Sequence, residues 1–525
     1  MHQRSCQQVL AVCALFLLSF GMTLFNDGLF WDDWVIVQSS PEALSSLYSQ
    51  VGAPLVGWLQ SCLLSIDSMI PFLYRLLILG SYLLSSVLFF RLIEKMPSMG
   101  KTNQLLLPLM FAIFPVNASR ITLNTAHYAL THVCFWLGVW LLSRAIERRF
   151  ILGQLSAVLL LALSFQMNSL LIFYYPVILA LLLFVHPNLL APCPDRGKIL
   201  WGLVPYLFLP VAFWLLRAWL MPPHGLYSEY NQVSAGSLLA APVGILRTLY
   251  TSFFKVIGTA LINAIQHPIV MVPASGIAFW SLWRCNERIE TKPLRQSLWM
   301  IATGAILFAA AVFPYVAVGK MPSSDDWNSR HQILVPLGAA LILVGSLSLL
   351  FGWLRARPWV QVLVESLLIG TFVSLNVSTC LDFQKDWFKQ RSIITNLRTN
   401  DTVRDHTTFL FSDEVPEMNA QGRSYRFYEY SAFMRKAFGE DTRLGCGIGE
   451  AEKLSELSSL AKHPQYGFAH YVPSGPVIQV RILPARSALS DAEVIGVLVD
   501  CLLDRARCDE ILADIVRIET SPMPG

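Results

Sequence analysis

Long apolar segments separated by short polar loops occupy roughly the first 380 residues of the chain. A membrane-spanning helix needs about 20 consecutive apolar residues, with a range of about 17 to 25. By this measure the sequence predicts eleven membrane helices, at residues 8–25, 72–93, 103–116, 126–146, 150–167, 169–186, 199–220, 267–284, 297–317, 332–353 and 358–378. The third segment is short and contains Pro108 and Pro115, so we expect a partial helix packed inside the bundle.

Two further apolar segments are expected to lie in the membrane interface rather than to cross the membrane. Residues 54–66 are too few to span, and residues 249–265 are interrupted by Lys255 and by polar positions. Amphipathic helices of this kind lie flat at headgroup depth. The first of them follows soon after the opening span, which predicts a structured layer over that end of the bundle.

The last part of the chain has a different composition. Residues 1–380 hold 22 Lys/Arg and 14 Asp/Glu, whereas the much shorter stretch 381–525 holds 17 and 21. The chain as a whole is 54% hydrophobic and only 14% charged, against about 25% charged in soluble domains. We therefore expect a mainly α-helical transmembrane domain over residues 1–380 and a small soluble α/β domain over residues 381–525. The net charge of +4 gives no indication of nucleic-acid binding.

The distribution of Lys and Arg predicts the orientation in the membrane. If the N-terminus is cytoplasmic, fifteen Lys/Arg fall at the cytoplasmic ends of the predicted spans and seven fall on the other side, as the positive-inside rule requires. An odd number of spans then places residues 381–525 outside the cytoplasm. We expect a multi-pass protein of the plasma membrane, which in a bacterium is the inner membrane.

An extracytoplasmic tail would permit a disulfide between Cys501 and Cys508. Seven residues of continuous helix span about 10.5 Å, which exceeds the roughly 4.4–6.8 Å between the Cα atoms of a disulfide. The bond therefore requires the predicted helix to end between the two cysteines, near residues 505–507.

Two adjacent carboxylates, Asp32 and Asp33, lie between Trp31 and Trp34 directly after the first apolar segment. One interpretation is a solvated interfacial loop, in which the tryptophans belong to the aromatic belt of the membrane. The other is a general base that deprotonates an acceptor hydroxyl. In that case a divalent cation such as Mg²⁺ or Mn²⁺, bound by Asp32 and Asp33, could relieve the repulsion between the two acids.

The loop before the tenth predicted span carries Lys320, Arg330 and His331. A solvated loop is the alternative interpretation. However, cations are scarce on the outer side, and Arg suits bidentate binding of phosphate in a partly dry site. We therefore expect Arg330, helped by Lys320 and His331, to bind the phosphate of a lipid-linked substrate.

Two other outer segments contain candidate substrate-binding residues. Arg120 and His127 lie around a helix start, although histidines in such positions are more often packed core residues. Glu229 and Tyr230 lie in a loop rich in aromatic and imidazole rings, on which sugars stack. The sequence contains no phosphate-binding glycine loop, dinucleotide fingerprint or nucleophile elbow, so the energy for a reaction must come with the substrate.

The layout resembles the GT-C superfamily of integral membrane glycosyltransferases. In that superfamily an acidic pair lies in the first outer loop and interfacial helices follow, as "WDDW" and residues 54–66 do here. The resemblance implies a polyprenyl-phosphate sugar as donor, transfer on the extracytoplasmic face, and a loop Arg that contacts the donor phosphate, for which Arg330 is the best positional match. It also favours Asp32 over Asp33 as the base. The acceptor expected for such an enzyme of cell-envelope polysaccharide synthesis is a glycan, a lipid or a protein.

Three other classes of function remain open at the level of sequence. An O-antigen polymerase or ligase would be expected to have a large late loop with several arginines, whereas the late loops here are short. A transporter of lipid-linked glycans should carry polar residues in mid-membrane, yet Glu365 is almost the only acid deep within a predicted span. A non-catalytic scaffold would leave the acidic pair unexplained.

Overall fold

The computed structural model describes residues 2–66, 70–96, 99–148, 150–187, 196–229, 231–285, 294–487 and 489–523. The first part of the chain is a helix bundle. Its helices are α1 (His2–Phe20), α2 (Asp33–Gln38), α3 (Pro41–Gln50), α4 (Pro54–Leu64), α5 (Ile70–Ile93), α6 (Lys101–Ile113), α7 (Ala126–Arg148), α8 (Ile151–Ser164), α9 (Ser169–Ala180), α10 (Arg196–Leu220), α11 (Ala235–Leu249), α12 (Val256–Gln266), α13 (Pro268–Cys285), α14 (Leu294–Val316), α15 (Val335–Leu354) and α16 (Pro358–Arg398).

Among the described residues, eight helices are long and apolar enough to cross a membrane. Seven of them correspond to predicted spans. The predicted spans at 103–116, 150–167 and 169–186 form helices of fewer than 18 residues, and α13, which contains Pro273 and has Arg284 in its last turn, is not among the eight candidates. The short helix α6 is buried over nearly its whole length, because it packs inside the bundle, as the prolines and the limited length of the predicted segment indicated.

The eighth candidate, Ala235–Gln266, is a continuous helix of 32 residues rather than the shorter interfacial segment predicted at 249–265. Ser237 near its start donates a hydrogen bond to the carbonyl of Ala317 (2.6 Å), and Asn263 near its end accepts one from Ser374 (3.1 Å). Between them Lys255 pairs with Asp325 at 3.1 Å. All three contacts are made with one end of the bundle, so this helix lies across that end despite its sufficient length.

We call that end of the bundle the sheet end, because the α/β region is attached there. At the opposite end, Arg91 donates a hydrogen bond to the Ser5 hydroxyl (2.5 Å), and Lys95 donates one to the Glu147 carboxylate (2.7 Å). Helix α16 has 41 residues, which corresponds to a length of about 60 Å, roughly twice the thickness of a bilayer core. It passes unbroken through residue 380 and extends from the bundle into the α/β region.

The α/β region contains four strands and five helices among its described residues. These are α17 (Asp401–Asp405), β1 (Thr408–Asp413), α18 (Phe427–Phe438), β2 (Leu444–Gly447), α19 (Leu454–Ser459), β3 (Ile478–Pro484), α20 (Asp491–Leu503), α21 (Arg505–Ala513) and β4 (Val516–Pro522). The strand order is β2-β1-β3-β4, with β2 and β3 parallel to β1 and with β4 antiparallel to β3. The predicted small α/β fold is thus confirmed.

The Cys501–Cys508 disulfide is present, with a Cα–Cα distance of 4.5 Å. The two cysteines can approach because α20 ends at Leu503 and the extended backbone of Asp504 (φ −146°, ψ 106°) redirects the chain into α21. This break in the helix lies directly before residues 505–507, where the sequence predicted that the helix has to end if the disulfide is to form.

Candidate active site

A turn of the chain just before α2 directs the side chains of Asp32 and Asp33 to different places. Trp31 has a positive φ of 49° and α2 begins at Asp33, so the two neighbouring carboxylates enter different surroundings. Asp33 is 0% exposed, and its two oxygens accept hydrogen bonds from the backbone N–H groups of Phe30 (3.1 Å) and Asn124 (2.9 Å). Both oxygens of Asp33 therefore bind the protein backbone.

Asp32 instead faces a large cavity at the sheet end. Its Oδ1 accepts a hydrogen bond from the Tyr428 hydroxyl at 3.3 Å, and its Oδ2 lies 3.5 Å from Nδ2 of Asn124. Burial raises the pKa of the Asp32 carboxyl above its ordinary value, and the nearby charge of Arg330 only partly offsets this effect. Burial likewise raises the pKa of Asp33 to about 7, against the backbone N–H groups that it binds. A carboxylate with a raised pKa is a stronger base than an exposed one.

The donor set around the acidic pair does not fit a divalent cation shared by both acids. Asp32 is the member of the pair that lines the cavity, and Asp33 is bound to the backbone. In the described part of the chain no three or more His, Cys, Asp or Glu side chains come together as a metal site. The predicted Mg²⁺ or Mn²⁺ site at Asp32 and Asp33 therefore finds no support in this geometry.

The cavity that contains Asp32 has a volume of about 920 Å³, and we call it the main cavity. Three cations from the bundle line it, namely Lys320, Arg330 and Arg217. The guanidinium of Arg330 lies 4.2 Å from the ring of Trp327 and donates a hydrogen bond to the Trp327 carbonyl at 2.8 Å. Lys320 donates to Oδ1 of Asn231 at 2.5 Å. The structure thus brings Asp32 together with the cations predicted to bind phosphate.

His127 and His331 also line the main cavity. The ring of His331 packs 4.6 Å from that of Tyr315, and the ring of His127 lies 3.9 Å from that of Tyr128. The Nδ1 atoms of both histidines are buried without a hydrogen-bond partner in the described structure. Burial, reinforced by Arg330, lowers the pKa of His331 to about 2, so His331 is neutral and can exchange hydrogen bonds with a substrate without adding charge.

Two predicted substrate-binding residues, Arg120 and Glu229, lie elsewhere. Arg120 faces a separate small pocket, where its guanidinium lies 4.0 Å from the ring of Phe20 and its Nε donates to the carbonyl of Asn117. Arg120 is thus buried beside an aromatic ring and is not among the residues that line the main cavity. Glu229 lies in an exposed turn and is not among the residues that line the main cavity. Tyr230 lies outside the described residues.

Several residues of the main cavity could not be recognised from sequence. Arg217, at the end of α10, donates to Oδ1 of Asn168 at 2.6 Å, and its position at the outer end of a predicted span was the available signal. From the α/β region come Tyr428, Gln465 and Tyr466, for which the sequence gives no signal. One side of the cavity is apolar and opens to the surface of the bundle, where it is lined by Val211, Trp214, Leu238 and Phe313.

A buried charge network fastens the α/β region to the loop that carries Asp32. Arg423 binds Asp386 of α16 at 2.7 Å and Glu429 of α18 at 2.7 Å, and all three side chains are almost completely buried. The guanidinium of Arg423 also lies 5.0 Å from the ring of Trp31. Because a buried ion network holds its partners in one geometry, the α/β region has a fixed position above the main cavity.

The fold and the cavity together define a polytopic membrane protein in which a small α/β region covers a cavity that contains one carboxylate, a cationic wall and an apolar side. No family model and no curated protein matches the chain. Among solved structures it is similar to the crystal structure of ArnT from Cupriavidus metallidurans bound to undecaprenyl phosphate, with 12% identity over 90% of this chain and 92% of that chain and a TM-score of 0.35. A TM-score of this size places no individual residue, so the roles of the cavity residues follow from their own contacts.

Proposed function

We propose that the protein is a membrane glycosyltransferase that moves a sugar from a polyprenyl-phosphate donor to an acceptor hydroxyl on the extracytoplasmic face. The observation that carries the proposal is the main cavity itself, in which a half-buried carboxylate, Asp32, shares one space with Lys320 and Arg330. Such a transfer needs a general base for the acceptor hydroxyl and cationic groups that bind the donor phosphate. The excess of Lys and Arg at the opposite end of the bundle supports an extracytoplasmic location for this cavity.

The reaction follows from this arrangement. Asp32 takes the proton of the acceptor hydroxyl while the hydroxyl oxygen forms a bond to the anomeric carbon of the donor sugar. The bond between that carbon and the phosphate oxygen breaks, and the electron pair leaves with the polyprenyl phosphate. Arg330 and Lys320 stabilise the negative charge that develops on the leaving phosphate. Attack from the side opposite the phosphate inverts the anomeric centre.

The apolar side of the cavity suits the polyprenyl chain of the donor. Trp214 is 57% exposed and Leu238 is 44% exposed at the edge of the bundle, where the surrounding medium is lipid. A chain lying along these residues would reach the phosphate site without crossing the polar part of the cavity. Such a lateral opening lets a lipid-linked donor enter from the outer leaflet.

Arg330→Lys tests the phosphate site. One ammonium cannot reproduce the two parallel hydrogen bonds of a guanidinium, so we expect the affinity for undecaprenyl phosphate to fall by about tenfold or more. The measurement is native mass spectrometry, or a binding titration, on the full chain in nanodiscs. Arg247→Lys is the matched control, because Arg247 is exposed on α11 and does not line the cavity. Equal affinities for the wild type and Arg330→Lys would refute the assignment of the phosphate site.

A further inference from the structure

The part of the main cavity that the α/β region supplies differs in charge from the rest. Its residues, Tyr428, Gln465 and Tyr466, are all neutral, and we call them the roof. The three cavity-lining cations, by contrast, come from the bundle. A pocket with charge on one side and neutral hydrogen-bonding rings on the other is suited to two different ligand groups at once.

The roof packs against α2, the helix that directly follows Asp32. The turn containing Gln465 and Tyr466 closes at Gly467, whose φ of +83° favours glycine. A Cβ atom at this position would overlap Oε1 of Gln38, at the end of α2. The roof and helix α2 are therefore in close contact through the end of the Gln38 side chain.

Aromatic packing fixes the two tyrosines of the roof relative to each other. The rings of Tyr428 and Tyr466 have centroids 6.2 Å apart and planes inclined by 31°. Phe427 packs against Tyr466 at 5.4 Å from the other direction. Both tyrosines and Gln465 are partly exposed, and the cavity that they line lies directly next to Asp32. They thus present two ring surfaces, two hydroxyl groups and one amide close to the proposed base.

We propose that the roof is an acceptor subsite for a neutral carbohydrate. This inference rests on the proposed glycosyltransferase function and names its acceptor class. Sugar rings present C–H faces that pack on aromatic rings, and their hydroxyls exchange hydrogen bonds with amide and phenol groups. An acceptor placed on the roof directs a hydroxyl toward Asp32, whose Oδ1 already lies 3.3 Å from the Tyr428 hydroxyl.

The charge distribution separates this acceptor from the other acceptor classes. An acidic or phosphorylated acceptor would need a cation where it binds, and Tyr428, Gln465 and Tyr466 supply none. Arg426 of the α/β region is close enough for its charge to act on Asp32 and Tyr428, but it is exposed and is not among the residues that line the cavity. The cations of the cavity are instead placed where the donor phosphate would lie. A donor and an acceptor that both bore phosphate would compete for the same wall, whereas a neutral glycan would not.

The experiment uses the full chain in nanodiscs and an array of neutral, phosphorylated and uronate-containing oligosaccharides. We expect the strongest binding to neutral members. The best of them is then titrated against the wild type, Tyr466→Ala and Gln465→Ala. Tyr250→Ala is the control, because Tyr250 is 64% exposed on the helix Ala235–Gln266 and is not among the residues that line the cavity. Tyr466→Ala should weaken binding about three- to tenfold, Gln465→Ala should weaken it less, and Tyr250→Ala should leave it unchanged.

Two results would overturn the subsite. One is preferential binding of acidic or phosphorylated glycans, or no glycan binding at all. The other is binding of neutral glycans that neither Tyr466→Ala nor Gln465→Ala weakens. Titration of undecaprenyl phosphate on the same samples separates this inference from the function on which it rests. If that lipid still binds in a manner dependent on Arg330, only the acceptor subsite has failed, and if it does not bind, the proposed function fails first.

Discussion

Asp32→Asn is the substitution that most directly tests the proposed chemistry. Asparagine has nearly the same shape as aspartate and keeps one oxygen that can accept the hydrogen bond from Tyr428. It cannot take a proton from the acceptor hydroxyl. The change therefore removes basicity while it leaves the packing of the loop and the cationic wall of the cavity in place.

The expected loss follows from the role of the group. General-base catalysis contributes about 10²- to 10⁴-fold to a rate, which corresponds to about 2.7 to 5.4 kcal/mol of transition-state stabilisation. Transfer by Asp32→Asn should fall by that factor, whereas affinity for undecaprenyl phosphate should stay within about twofold, because the substitution does not alter Arg330 or Lys320. In the wild type, burial raises the pKa of Asp32. Transfer should consequently decline as the pH falls through a value above the ordinary 3.8 of aspartate, and this acid limb should be absent from the residual activity of Asp32→Asn.

The assay is transfer from a polyprenyl-phosphate sugar in nanodiscs, followed as a function of pH. Asp325→Asn is the matched control, because Asp325 is a neighbouring carboxylate of the sheet end that is 62% exposed and pairs with Lys255. It should retain near-normal transfer. If Asp32→Asn keeps more than about a tenth of the wild-type rate with an unchanged pH profile, Asp32 is not the base.

Two further substitutions separate the neighbours of Asp32 from the base itself. Asp33→Asn should lower the free energy of unfolding by about 1–3 kcal/mol, because an amide leaves one of the N–H groups of Phe30 and Asn124 without its acceptor. Thermal unfolding measures this loss, and a large loss of transfer with unchanged stability would instead place Asp33 at the reacting groups. Tyr428→Phe removes a hydrogen bond that stabilises the charged form of Asp32, so the acid limb of transfer should move to higher pH. An unmoved limb would show that this hydrogen bond does not act on the base.

Among the described residues, seven of the eleven predicted spans are helices long and apolar enough to cross a membrane, because length and hydrophobicity can be read directly from the sequence. One further helix is instructive. Ala235–Gln266 satisfies both criteria, yet its contacts with Ala317 and Ser374 show that it lies across the sheet end. Lys255 at its centre, paired with Asp325, is the feature that favours the interface, and it was visible in the sequence. Length and hydrophobicity thus decide whether a helix is able to cross a membrane. A charged position such as Lys255 can still favour a location at the interface.

The candidate site could be predicted only in part. The acidic pair and the loop of Arg330 are local features, so the sequence displays them. Their meeting in one cavity depends on tertiary packing between segments almost 300 residues apart, and it was inferred from a resemblance rather than from spacing. Tyr428 and Tyr466 gave no signal, because aromatic residues in an α/β domain normally serve its core. The burial of Asp33 could not be predicted from the sequence either, because which of two adjacent acids is buried depends on where α2 begins.

A stack of cations and aromatic rings explains how these distant segments are held in register. The guanidinium of Arg423 lies 5.0 Å from the ring of Trp31, Trp31 stacks on Trp327 at 5.5 Å, and Trp327 lies 4.2 Å from the guanidinium of Arg330. Each contact contributes on the order of 0.5–2 kcal/mol, which is modest on its own. Together they connect the α/β region, the loop of the acidic pair and the loop of Arg330. Trp31, which as a residue of the aromatic belt would only have anchored the chain in the membrane, therefore has a second use: it sets the position of the residue that follows it, Asp32, relative to the charge of Arg330.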